Sequence, residues 1–169
     1  LALRAFGVGD PSVPVPADRA PVPVPAASST EAEIPPVRWP VPVSSTALVV
    51  RTVGGDTLDA LPDGQTSVVR VRFLGINTPE SVDPRRPVQC FGKEASQALK
   101  RLVEGRRVAL LEDVQADDRD KYGRWLRNVV TEDGLDVNAA LVAQGFAQAY
   151  LDFPLAKERK AQLRALERQ

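Results

Sequence analysis

Histidine and methionine are both missing from this chain of 169 residues, and cysteine occurs once. Without histidine there is no imidazole general base, no usual zinc ligand and no His-based nucleophilic triad. Any chemistry must run on carboxylates, arginine, lysine, tyrosine or a metal ion. The lone Cys90 rules out an intrachain disulfide and assigns no redox compartment. Long apolar runs are missing too. The longest, Ala47-Leu48-Val49-Val50 and Val108-Ala109-Leu110-Leu111, have the length of strands, too short for a bilayer span or a signal-peptide core. Because the chain opens on Leu1 and lacks Met, its natural start is expected upstream, where a targeting segment could precede it. Net charge is also zero, with 22 basic residues against 22 acidic ones. The overall field that would advertise a polyanion partner is therefore absent, although a local cluster of cations needs no such field.

What the chain does have begins with proline. Residues 1–44 hold 10 of the 15 prolines, as in Val13-Pro14-Val15-Pro16 and Pro21-Val22-Pro23-Val24-Pro25. Alternating Pro-Val supports neither a sheet ladder nor a helix and favours extended polyproline II, so residues 1–44 read as a disordered tether or spacer. From residue 45 onward the pattern changes. Apolar alternation between turn residues predicts strands over 47–53, 56–61, 67–76, 107–114 and 124–131. Helices are predicted over 92–104, where Ala95, Ala98, Leu99, Leu102 and Val103 share a face and Gly105 supplies the stop, and over 137–144 and 155–169. Asp133-Gly134 is a hairpin-type turn. Five short strands with a helix between the third and fourth give an α+β, mainly β fold: a five-stranded Greek-key barrel of the OB-fold plan with about three helices, over 45–169.

The residues able to do chemistry cluster around the third strand. Glu80 follows Thr78-Pro79, which reads either as the opening turn of a helix or as a general base held beside an attacking water. Asp56 and Asn77 stand at strand mouths. With a backbone carbonyl such as that of Thr78 they could hold one Ca²⁺, or else serve only as turn residues. Arg72 and Arg124 lie on different strands. Each could stabilise a five-coordinate phosphorus or simply join a surface ion pair. Lys121-Tyr122-Gly123-Arg124 is a tight turn that sets basic groups at a strand start, with Tyr122 either stacking on a sugar or base or half-buried in the turn. Asp117-Asp118-Arg119-Asp120 reads as a solvated acidic loop, because consecutive carboxylates lack calcium-loop spacing. Arg85 and Arg86 follow Glu80 in a loop, where they could touch a substrate backbone or only water.

Taken jointly, several motifs resemble the staphylococcal nuclease-like (thermonuclease) family. They are Gly54-Gly55-Asp56-Thr57, Val71-Arg72-Phe73-Leu74-Gly75-Ile76-Asn77-Thr78-Pro79-Glu80, Phe91-Gly92-Lys93-Glu94-Ala95, Asp120-Lys121-Tyr122-Gly123-Arg124 and Val137-Asn138-Ala139-Ala140-Leu141-Val142-Ala143-Gln144-Gly145. The match runs from about Val49 to the end of the chain. It implies Ca²⁺-dependent hydrolysis of DNA and RNA by in-line attack of water, leaving 3′-phosphate and 5′-hydroxyl ends. By the same resemblance Arg72 and Arg124 match the catalytic arginines and Glu80 the general base. Asp56, Asn77 and the carbonyl of Thr78 match the metal ligands. Tyr122 matches a tyrosine that holds the nucleotide, and Lys121, Arg85 and Arg86 are counted with it as substrate contacts.

The chain departs from that family in two places. Asn77 stands where the family usually has a second Asp, and Gly54 replaces a common acidic residue, so a weaker metal site is expected. The last helix also ends without a Trp-containing closing segment, so the chain is expected to be a fragment. The alternative to an enzyme is a catalytically silent barrel that binds nucleic acid or a protein partner. A monomer is expected, secreted or tethered to the cell envelope.

Overall fold

The computed structural model describes residues 43–80 and 90–168. The Pro-rich tether therefore falls almost wholly outside the described residues, as do Arg85 and Arg86. Strand β1 (Val43–Thr52) starts the barrel, four residues ahead of the strand expected over 47–53. Then come β2 (Thr57–Pro62), β3 (Val69–Phe73), the two-residue β4 (Ile76–Asn77), α1 (Gly92–Val103), β5 (Arg107–Leu111), β6 (Trp125–Thr131), α2 (Val137–Ala143), β7 (Gln148–Ala149) and α3 (Lys157–Leu166). Five strands close a barrel in the order β1-β2-β3-β6-β5, the expected OB-type plan, while β4 and β7 form a separate two-stranded ribbon.

Alternation explains the strands. In β1, Ala47 and Val49 face the core while Leu48 and Val50 remain exposed. In β3, Val71 and Phe73 point inward and Arg70 points out. Antiparallel pairing joins β1 to β2 and β5, β2 to β3 and β5 to β6. Closure comes from the single parallel pair, β3 with β6, in which Val71 faces Trp125 and Arg72 faces Leu126. Leu58, Val71, Phe73, Leu99, Leu110, Val129 and Leu141 are fully buried in one core, each worth about 1.5–3 kcal/mol of apolar transfer.

Several element bounds differ from expectation for local reasons. The third strand does not run to residue 76. It breaks at Leu74-Gly75, where Gly75 has φ +72°, and a Cβ there would meet Leu163 at 2.6 Å and Leu155 at 2.7 Å. Strand β5 stops at Leu111 because Asp113 turns the chain, its Oδ1 accepting from the amide of Gln115 at 3.0 Å. The same carboxylate accepts from the amide of Ala156, which holds residues 155 and 156 out of α3. At the start of α2, Asp136 caps the helix by accepting from the amide of Ala139 at 3.0 Å. Arg159 of α3, fully buried, donates to both oxygens of Asp136 and so ties α3 to that cap.

Candidate functional site

The turn between β1 and β2 meets the end of β3 at Asp56. Its Oδ2 accepts from the amide of Thr78 at 2.9 Å and from the Thr78 hydroxyl at 3.0 Å, while its Oδ1 accepts from Thr57 Oγ1 at 3.0 Å. Gly55 makes this approach possible, since a Cβ there would lie 2.8 Å from the Thr78 side chain and 2.9 Å from Ala95 of α1. Thr78 thus spends its hydroxyl on a residue far away in sequence, and residues 78–80 carry no helix. Among the described residues Thr78 is held by Asp56 and caps no turn.

Arg72 is the centre of the site. Its side chain is 10% exposed, so the surface ion-pair reading does not hold. Nη1 donates to the carbonyls of Phe73 at 2.9 Å and Ile76 at 3.0 Å, which fixes the guanidinium plane. Nη2 donates to Asn77 Oδ1 at 3.1 Å and pairs with Asp56 Oδ2 at 3.2 Å. Burial pulls the pKa of Arg72 below its ordinary value, Asp56 opposes that, and the nearby positive charge of Arg124 adds to it. Asp120 and Tyr150 also lie within electrostatic reach of Arg72. An arginine so placed keeps its charge and is poorly hydrated, which suits it to a phosphate oxygen.

Arg124 reaches the same region from the start of β6. Asp120 sets its direction: Oδ2 accepts from Arg124 Nε at 2.6 Å, while Oδ1 accepts from the amides of Tyr122 at 2.9 Å and Arg124 at 3.0 Å. The expectation of a solvated acidic loop is corrected here for Asp120, whose side chain is largely buried, while Asp118 stays exposed as expected and pairs with the buried Arg127. Tyr122 is 72% exposed, so its half-buried alternative fails. Lys121 Nζ and the Arg124 guanidinium sit 5.1 Å and 5.4 Å from its ring centroid. Glu80 is half-buried, two residues beyond Thr78.

Asp56 and Asn77 present oxygens to one nitrogen, Arg72 Nη2, and so converge on one place. A carboxylate, an amide oxygen and a nearby carbonyl are hard donors that fit Ca²⁺ better than a softer metal. Among the described residues no three His, Cys, Asp or Glu side chains gather as a metal cluster. The convergent pair therefore carries only the charge of Asp56.

Residues 70–169 match the family model described as staphylococcal nuclease homologue. The chain belongs to this family. It is 41% identical over 102 residues to a thermonuclease of Staphylococcus intermedius, covering 60% of this chain and 58% of that one. It is 39% identical over 101 residues to a thermonuclease of Staphylococcus hyicus, with 60% and 57% covered. To endonuclease YncB of Bacillus subtilis (strain 168) it is 38% identical over 108 residues, with 63% and 49% covered. The chain thus spans about half the length of these curated relatives.

In this staphylococcal nuclease homologue the fold gathers Asp56, Arg72, Asn77 and Thr78 in direct contact and brings Arg124 near them, with Lys121 and Tyr122 on an exposed turn. Two contributors escaped the sequence reading. Asp120 had a usable signal, a carboxylate two residues ahead of an amide it can cap, just before Gly123. Tyr150 had none: its side chain lies within electrostatic reach of Arg72 and its amide donates to Gly75 at 2.8 Å, but nothing beside it in the sequence ties it to β3.

Proposed function

We propose that the chain is a nuclease that hydrolyses phosphodiester bonds of DNA and RNA, using Ca²⁺ and an attacking water. The observation that supports this most is the pairing of two oriented guanidiniums, Arg72 fixed by two carbonyls and Arg124 fixed by Asp120, beside a hard-oxygen pair. Arg72 and Arg124 would bind the non-bridging oxygens and offset the charge that grows as phosphorus becomes five-coordinate. Glu80 would take the proton from the attacking water. Asp56, Asn77 and the Thr78 carbonyl would hold Ca²⁺, which supplies Lewis-acid polarisation of the phosphate when bound. The P–O5′ bond opposite the attacking water would break and the departing oxygen would take a proton from solvent, leaving a 3′-phosphate and a 5′-hydroxyl.

The test is digestion of single-stranded DNA and of RNA across a Ca²⁺ series, with a chelator control and Glu80→Gln alongside. The parent should cleave only with Ca²⁺, and the variant should lose about 10²–10⁴-fold in rate. A folded parent that never cleaves would leave the silent binding barrel as the better reading. The charge-poor pair of Asp56 with Asn77 is the observation that favours that alternative. The Pro-rich segment would act as a spacer from an envelope or outside the cell, where Ca²⁺ is abundant. Removing residues 1–42, which keeps the Val43–Leu111 pairing, should leave cleavage intact.

A further inference from the structure

Beside the candidate site runs a row of charge that none of the roles above uses. Asp59 on β2 is paired across the sheet with Arg51 on β1 and Arg70 on β3. Arg70 is bidentate to it, with Nε to Oδ1 at 2.8 Å and Nη2 to Oδ2 at 3.1 Å, and Arg51 Nε donates to Oδ2 at 2.8 Å. Two guanidiniums thus share one carboxylate, which leaves a surplus positive charge in a protein whose net charge is zero. Their side chains are 63% (Arg51) and 45% (Arg70) exposed, whereas the Asp59 carboxylate is buried and is balanced by one of them, so the other charge is left facing solvent.

Position makes the surplus meaningful. Arg70 and Arg72 lie two residues apart on the same face of β3, roughly 7 Å along the strand, about the reach of one nucleotide step. The parallel register that sets Val71 against Trp125 brings Arg70 level with Arg124. Asp59, Val68, Arg70, Tyr122 and Arg124 line an open groove of about 390 Å³ there. Val68 and Tyr122 are exposed and give that groove apolar surface for a sugar or base.

We propose that this groove is a second binding subsite, in which Arg70, supported by Arg51, takes the backbone phosphate of the nucleotide neighbouring the one at Arg72 and Arg124. It rests on the nuclease reading for its substrate class, a single polynucleotide strand. Surplus charge, spacing and continuity with the candidate site together favour such a strand over a compact anion. The subsite would set how many nucleotides the protein grips, with little effect on the chemical step.

Binding of a fluorescein-labelled single-stranded DNA 12-mer, read by anisotropy in chelator across a salt series, tests this directly. Arg70→Gln should weaken 12-mer binding about 3- to 10-fold and lower the salt slope by about 0.7, while binding of a thymidine dinucleotide stays at parent level. Arg70→Lys should restore most of the loss, which a purely structural partner of Asp59 would not do. Arg51→Gln leaves Asp59 paired with Arg70 yet removes the surplus charge, so it should also weaken the 12-mer. Thermal melts identify any variant that fails to fold. Unchanged 12-mer affinity and slope in folded Arg70→Gln and Arg51→Gln overturns the subsite, and so does a parent that binds no strand. Cleavage with Ca²⁺ is scored separately, so a parent that grips the 12-mer through Arg70 without cutting it would sink the nuclease reading and keep the subsite.

Discussion

Asn77 carries the sharpest consequence of a single atom. Its Oδ1 accepts from Arg72 Nη2, as Asp56 does, but it brings no charge. Asn77→Asp should therefore lower the Ca²⁺ concentration for half-maximal cleavage by about tenfold, since ligand charge tunes calcium affinity. An unchanged or higher requirement would count against the assigned ligands. Asp120 acts one step removed, through Arg124. In Asp120→Asn the amide oxygen can still cap Tyr122 and Arg124, while an NH₂ group replaces the oxygen facing Arg124 Nε. We expect kcat to fall about 10- to 100-fold from a misdirected guanidinium, with KM changing less and the melting temperature nearly kept. Steady-state kinetics beside a melt would separate the two. Residue type made Arg72, Arg124 and Asp56 candidates, but each alone read equally as a surface ion pair or a turn residue, and only the joint family resemblance singled them out. Direction was not legible: nothing in the letters shows that Asp120 bonds Arg124 or that Thr78 turns its hydroxyl toward Asp56.

Among elements, the break at Leu74-Gly75 decides how the site is presented. A continuous strand over 67–76 would carry Asn77 and Thr78 straight on from Arg72. The turn instead folds them back so that Arg72 Nη1 can reach the Ile76 carbonyl. Gly75→Ala combines a positive φ with a close approach to Leu155 and Leu163. It should destabilise the fold by about 2–4 kcal/mol, seen as a lower urea midpoint at constant slope. A shift below a few tenths would mean α3 gives way freely. Alternating Val69, Val71 and Phe73 predicted the strand correctly, and the same apolar rhythm at Leu74 and Ile76 hid its end. Periodicity reports which face is buried, whereas the break depends on Leu155 and on Leu163 of α3, some eighty positions later. The α1 helix was legible almost to the residue because its face and its stop are both local.

At the scale of the molecule, several carboxylates lean on arginines. Asp59 and Asp118 ionise below the ordinary range chiefly through hydrogen bonds from Arg70 and Arg127. For Asp120, burial works against ionisation and is outweighed by Arg124 and by backbone amides. In the unfolded chain these groups take up protons near pH 4, and in the fold only at lower pH. Below about pH 4 the unfolded chain therefore holds more protons, so stability should fall with acidification and stay level from pH 6 to 8, where a chain without histidine has no imidazole to titrate. Urea midpoints from pH 7 to 3 would show this, and a flat profile would refute it. The barrel also has a consequence in time. Arg72 and Arg124 are 52 positions apart and become neighbours only when β6 lies down beside β3. A growing chain on the ribosome displays the first arginine long before the second exists, and neither has its mate until β6 pairs with β3. Under the nuclease activity proposed above, wiring of this kind would leave each unfinished copy inert toward the RNA message it is made on.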